Sequence, residues 1–238
     1  MPNYEGPENP LLRAAISADR PYLARRLKHT VYVAGQQFWK PSKPIPYALF
    51  PIRGIISIRL SPVPDRLIEV GIVGHEGFVG LPLFFGLDFP IGIPIALTAG
   101  EAVLMPADVY QAYCRGSVFR AAIERYLAFY ITMLGYMSLC SRAHTFEQSF
   151  AGRLLLVHDR MLADSFQVTQ DQFSQALGVR RATVCQIAVT LRKERTIEYD
   201  RRGRITILNR HRLEKHACSC YHNMKAAFEL MARSATND

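Results

Sequence analysis

The sequence predicts an α+β chain built from three successive parts, and three observations predict it. Short apolar runs cut by Gly and Pro fill residues 31–105, the signature of strands joined by tight turns. A single long helical pattern follows from Val118. A helix, a glycine turn, a second helix and a basic hairpin then occupy Thr169 to Leu208.

The first elements are the least regular. Leu12, Ala15, Ile16, Leu23 and Leu27 give Leu11 to Lys28 helical spacing, interrupted at Pro21. Strand-like runs follow at Val31–Val33, Tyr47–Phe50, Ile55–Leu60, Leu67–Val73, Ile91–Leu97 and Val103–Met105. Many short strands with frequent turn residues indicate a sandwich or a small barrel. Runs such as Ile55-Ile56-Ser57-Ile58 do not alternate cleanly, so either face could be the buried one.

In the long helix, Phe119, Ile123, Tyr126, Tyr130, Met133, Met137, Cys140 and His144 recur at alternating steps of four and three. That is a heptad seam, the pattern of two helices packed side by side. An intersubunit contact is expected there, with Phe119, Ile123, Tyr126, Tyr130, Met133 and Met137 as the dimer interface. Leu127, Ile131 and Leu134 form a second stripe that could pack on the chain's own β domain. The alternative is a single broad face buried within one monomer.

Thr169 and Gln172 have the spacing of a capping box, so a helix starts there, with Phe173, Ala176 and Leu177 as its apolar face and Gly178 as its end. Arg180 and Arg181 open the next helix, whose inward stripe is Val184, Ile187, Ala188 and Leu191. Ile197–Tyr199 and Arg204–Leu208 are two short strands around the tip Asp200-Arg201-Arg202-Gly203. Two helices across a tight turn are the DNA-binding helix-turn-helix, and the hairpin is its wing. The candidate DNA contacts are Thr169, Arg180, Arg181, Thr183, Gln186, Arg192, Lys193, Arg201, Arg202 and Arg204.

Charge follows the motif. The 238-residue chain is +9 overall. Residues 1–150 hold 14 Lys/Arg against 11 Asp/Glu (+3), while residues 151–238 hold 15 against 9 (+6). A positive excess concentrated at a winged helix suits duplex phosphates.

Other classes are disfavoured. Met1 to Pro10 contains Glu5 and Glu8 and no apolar run, so no secretory signal is expected, and Tyr126–Ser141 is too short between Arg125 and Arg142 to span a bilayer. Five scattered cysteines argue against a disulfide framework, which leaves the cytoplasm as the expected compartment and no membrane as partner. His75-Glu76 and His158-Asp159 lack a nucleophile, a metal set or a phosphate loop, so no enzyme and no catalytic residue is expected. Within His216–His222, Cys218 and Cys220 would point to opposite sides of a helix; on a strand or loop they could chelate together, yet their spacing is tighter than the usual gap of zinc pairs, so no metal and no cofactor is expected and packing of the last helix is the default.

The order of parts resembles the Crp/Fnr superfamily of bacterial transcription regulators over roughly Pro10 to Tyr221. The resemblance rests on Val70-Gly71-Ile72-Val73-Gly74-His75-Glu76-Gly77-Phe78-Val79-Gly80, Leu155-Leu156-Val157-His158-Asp159-Arg160, Leu177–Val184 and Tyr199–Ile207. It implies an N-terminal helix plus a cyclic-nucleotide-binding-like β-roll (a double-stranded β-helix, jelly-roll-like) over 1–115, a dimerisation helix over 116–148 and a winged helix-turn-helix over 149–238. It further implies a homodimer on a two-fold symmetric double-stranded DNA site, with RNA polymerase and an unidentified small-molecule effector as further partners. A hinge is expected near Ser149 to Arg153.

Two departures narrow this. Typical members carry a Glu and a final Arg in the base-reading stretch where this chain has Ala182 and Gln186, so the family's well-known half-sites are not expected to transfer. No Lys or Arg occurs from Leu67 to Cys114 to neutralise a cyclic-nucleotide phosphate, and no cysteine precedes Cys114, so control by cyclic AMP or an iron-sulfur cluster is not expected. Glu76, Gly77, Phe78, Phe84 and Phe85 are the candidate effector pocket, with simple core filling the safer reading. The competing function is a small-molecule or cyclic-nucleotide sensor module whose winged helix mediates protein contacts.

Overall fold

Asn9 sets the start of the first helix, α1 (Pro10–Ala18). Its side-chain oxygen accepts from the backbone N–H groups of Leu11 and Leu12, both at 3.1 Å, and its amide donates to the carbonyls of Pro51 and Gly77. The computed structural model describes residues 9–18, 23, 25–63 and 66–234, so Glu5, Glu8 and Pro21 lie outside the described residues.

Six strands follow: β1 (Lys28–Tyr32), β2 (Tyr47–Arg53), β3 (Ile56–Val63), β4 (Arg66–Val73), β5 (Ile93–Ala96) and β6 (Gly100–Pro106). Each overlaps one of the six apolar runs, β1 by only Val31 and Tyr32. They form two sheets, with strand orders β1-β6-β2 and β4-β3-β5. The first is antiparallel, pairing Val31 with Glu101 and Leu49 with Leu104. Contacts divide the chain into two compact units, Met1–Ile58 with Ile72–Leu127 and Arg59–Gly71 with Ala128–Asp238.

The first unit is centred on aromatic rings. Phe78 stacks on Phe50 and Tyr110 at 5.8 and 5.3 Å, and Tyr126 lies 5.7 Å from Phe78. Phe119 meets Tyr110 edge-on at 5.7 Å.

After α2 (Ala107–Tyr113) comes the long helix α3 (Ser117–Ala143), and then α4 (Phe146–Met161). Two expectations are corrected here. The seam expected at a dimer interface is largely buried in its own chain: Phe119, Ile123, Tyr126, Tyr130 and Met133 are all buried, and Met137 is half-buried. Phe119 and Tyr126 belong to the aromatic core above, and the Tyr130 ring lies tightly over Gly71. Met133 and Met137 accept from the guanidinium groups of Arg160 and Arg153. A heptad repeat identifies a buried stripe but not what buries it, and these large side chains fill their own monomer.

The segment expected to be a hinge is continuous helix. Ser149 to Arg153 lie inside α4, and the helical path breaks earlier, at His144-Thr145. The Thr145 hydroxyl accepts from the Gln148 N–H at 3.3 Å, and the Gln148 side-chain oxygen accepts from the Thr145 N–H at 3.1 Å.

In the second unit, β4 supplies Glu69 to a fully buried ion pair with Arg153 of α4. Burial and the neighbouring Arg160 and Arg59 hold the Arg153 pKa below the usual arginine value. His158 and Asp159 are engaged structurally. Arg210 lies 2.7 Å from Asp159, and the Tyr221 hydroxyl donates to Asp159 at 3.0 Å. The ring of His158 meets Asp164 at 2.9 Å and Arg210 at 2.7 Å. Among the described residues, no helix is long and apolar enough to cross a membrane.

Candidate nucleic-acid interface

The interface grows from a local capping arrangement. The Thr169 hydroxyl accepts from the Gln172 N–H at 3.1 Å, and the Gln172 side chain accepts from the Thr169 N–H at 2.7 Å, which starts α5 (Gln170–Leu177). Gly178 ends it in the left-handed region at φ 67°, where a side chain would be strained. Arg180 then caps the second helix, α6 (Arg181–Lys193).

Val184, Ala188 and Leu191 bury the inner stripe of α6, with Ile187 half-buried beside them. The outer surface carries Arg181, Ala182, Cys185, Gln186, Arg192 and Lys193, all exposed, with Thr183 half-buried. The Arg181 guanidinium lies 3.5 Å from the Asp171 carboxylate of α5.

The hairpin β8 (Ile197–Tyr199) and β9 (Arg204–Ile207) follows, and β7 (Ser165–Gln167) pairs with β9 to complete a three-stranded antiparallel sheet. Its tip is shaped by Asp200, whose carboxylate accepts from the backbone N–H of Arg202 at 2.8 Å and of Arg204 at 2.9 Å. The bond from the Arg204 N–H is the leading cause that holds the Asp200 pKa below its usual value, despite an opposing desolvation effect. Gly203, at φ 87°, brings this tip against Thr169, where a Cβ would fall 2.8 Å from the threonine methyl. Arg201, Arg202 and Arg204 are exposed. The Tyr199 hydroxyl donates to the Val168 carbonyl at 2.7 Å, tying the wing to the segment between β7 and α5. The ten expected contact residues therefore lie on the start of α5, the outer surface of α6 and the hairpin.

The candidate effector residues are divided between the buried core and the surface. Phe78 is a core ring, and the Tyr126 ring presses on Gly77 so closely that a Cβ there would overlap it. Glu76 is buried, and its carboxylate accepts from the Gly74 N–H at 3.3 Å. Phe85 is 61% exposed, and Phe84 is half-buried beneath the Arg120 guanidinium at 5.0 Å. Phe78 is packed as a core ring, while Phe84 and Phe85 meet each other edge-on at 5.2 Å.

One grouping was missed from sequence. The helices α7 (Arg210–His216) and α8 (Ser219–Ser234) follow the wing. Cys218 precedes α8 instead of lying within it, so the argument from opposite helix sides does not apply there. Cys218 and Cys220 converge with Cys140 of α3 and with His144, and the ligand atoms of the four lie within 4.8 Å of one another. The signal was the i, i+4 pair Cys140 and His144, which shares one helix face.

Residues 150–216 match the model of the Crp-like helix-turn-helix domain. Among curated proteins, none matches the chain in sequence. Solved structures do match. FixK2 from Bradyrhizobium japonicum superposes with a TM-score of 0.67 at 15% identity, over 81% of this chain and 98% of that one. A CRP/FNR-family transcriptional regulator of Thermus thermophilus gives 0.63 at 18% identity, over 80% and 98%. The c-di-GMP-responsive regulator CLP of Xanthomonas campestris gives 0.57 at 17% identity, over 80% and 98%. Residues 150–216 thus match a Crp-like helix-turn-helix domain, carried by a chain with the fold of the Crp/Fnr regulators.

Proposed function

We propose that this chain is a sequence-specific, double-stranded-DNA-binding transcription regulator of Crp/Fnr type that acts as a cytoplasmic homodimer. The observation that carries the reading is the outer surface of α6, where Arg181, Gln186, Arg192 and Lys193 stand exposed on a helix braced by α5 and flanked by an arginine-tipped hairpin. A helix of this width fits the major groove, where Arg181 suits guanine and Gln186 suits adenine. Arg201, Arg202 and Arg204 fit backbone phosphates beside the groove.

The dimer seam moves to the opposite side of α3. Ala128, Ile131, Gly135, Ser138 and Arg142 are exposed at alternating steps of three and four, with Leu139 alongside. Ile131 is 65% exposed and Leu139 50%, so a second copy of α3 covering this stripe would bury apolar surface that one chain leaves in water. Paired recognition helices then reach half-sites about one DNA turn apart, roughly 34–36 Å. RNA polymerase is the partner such a regulator would recruit or block. The buried Phe78 and the absence of basic residues from Leu67 to Cys114 weigh against a cyclic-nucleotide effector in this β domain.

The test is fluorescence anisotropy of the full chain on labelled duplex DNA across a salt series. DNA binding predicts a steep fall of log K with log salt, flattened in the Arg201→Ala, Arg202→Ala double variant. Salt-insensitive or absent binding would favour protein contacts for the winged helix instead.

A further inference from the structure

We propose that Cys140, His144, Cys218 and Cys220 bind one zinc ion, which fastens the end of α3 to the start of α8. The Cys140 and Cys218 sulfurs are 3.3 Å apart, and the Cys220 sulfur is 3.6 Å from His144 Nδ1. Zinc bound tetrahedrally at about 2.3 Å to sulfur and about 2.0–2.1 Å to nitrogen needs ligand atoms roughly 3.5–3.8 Å from one another. The four donors are therefore already grouped on the scale of a single ion. An iron-sulfur cluster distributes its ligands over several irons and needs a wider frame.

The local structure explains how two close pairs meet. Cys140 lies in the last turn of α3, and the His144 N–H donates to the Cys140 carbonyl at 3.3 Å, which keeps both side chains on one face. Ala217 is extended (φ −76°, ψ 152°), so Cys218 enters from outside the helix while Cys220 sits in its first turn. The Ser149 hydroxyl is 3.3 Å from the Cys140 sulfur, placed to donate to a bound thiolate. Cys140, Cys218 and Cys220 are buried and His144 is half-buried.

The donor chemistry selects the ion. Three soft sulfurs with one borderline imidazole nitrogen offer no oxygen donors for calcium or magnesium, and a tetrahedral set of this kind is typical of zinc. Four protein ligands leave no open position, so the ion is structural and not catalytic. The residues between His144 and Cys218 include all of α5, α6 and the wing. Zinc would close that stretch into one loop, so metal loading would stabilise the DNA-binding segment by restricting its unfolded chain. This site does not rest on the DNA-binding reading.

The test is metal analysis of the full chain purified under reducing conditions, followed by cobalt titration of chelator-stripped protein. About one zinc per chain is expected, with cobalt giving the intense visible bands of a tetrahedral thiolate site, and with chelation lowering the thermal midpoint. Cys218→Ser and His144→Ala should each cut zinc retention at least about tenfold at limiting metal, while Cys185→Ser on α6 retains full stoichiometry. The cobalt spectrum of the unsubstituted chain keeps the test decisive should a variant fail to fold. Absence of zinc together with no cobalt–thiolate band would overturn the proposal. So would a Cys140–Cys218 disulfide as the native state by non-reducing mass spectrometry.

Discussion

The Arg181 guanidinium lies 3.5 Å from the Asp171 carboxylate, joining the first turn of α6 to the first turn of α5. Both side chains are well exposed, so the pair is worth at most about 1 kcal/mol and a base edge or phosphate can displace it. Arg181→Ala is expected to cost about 1–3 kcal/mol of operator affinity and to relax selection at one base position per half-site. Asp171→Asn is expected to tighten binding to all duplexes, because it removes a negative charge at the interface. Anisotropy on matched and mismatched duplexes checks both. An Arg181→Ala chain with unchanged affinity and preference would place the recognition helix elsewhere.

Arg202 at the wing tip should behave differently. Its alanine variant is expected to weaken specific and non-specific duplexes alike and to reduce the slope of log K against log salt by about one.

Asp200 links the wing to pH. Its folded pKa is depressed, so its contribution to the turn is present above the unfolded carboxylate value of 3.8 and is lost as pH falls through the lower folded value. Protection of the Arg202 and Arg204 amides relative to their intrinsic exchange should therefore fall in acid, and Asp200→Ala should show that loss already at neutral pH.

The two sides of α3 separate assembly from folding. Ile131→Asp is expected to yield folded monomers in sedimentation velocity, because a charge would be buried at the proposed seam. Tyr126→Ala is expected to lower the unfolding midpoint, since it opens a cavity beside Phe78 and costs on the order of 3–5 kcal/mol. Dimers that persist in Ile131→Asp would exclude the exposed stripe as the seam.

Glu69→Ala should destabilise the fold by about 3–5 kcal/mol in denaturant, because it leaves the Arg153 guanidinium buried without its carboxylate. A shift below about 1 kcal/mol would mean that the pair is solvated in solution.

What was legible in sequence was local. Thr169 with Gln172, Gly178, and the tip between Tyr199 and Arg204 express their geometry within a few residues, and the structure shows each. The six strands were readable for the same reason, because each apolar run is bounded by turn residues. Partner identity was not readable. The Phe119-to-Met137 stripe marked a buried face correctly, yet nothing in its period says that Phe50, Phe78 and Tyr110 would cover its first turns. Glu69 and Arg153 meet across 84 positions, and Cys140 meets Cys218 across 78. Such pairs have no signature in local spacing. The Cys218–Cys220 geometry further depended on α8 starting at Ser219, one residue after the first of them.

Selection of preferred sites from a random duplex pool, using the full chain, tests the central claim most directly. A two-fold symmetric site whose half-sites are centred about one helical turn apart, bound with steep salt dependence, is the result expected of a dimeric DNA-binding regulator. A pool that yields no enriched sequence, with and without added small-molecule extract, would contradict it.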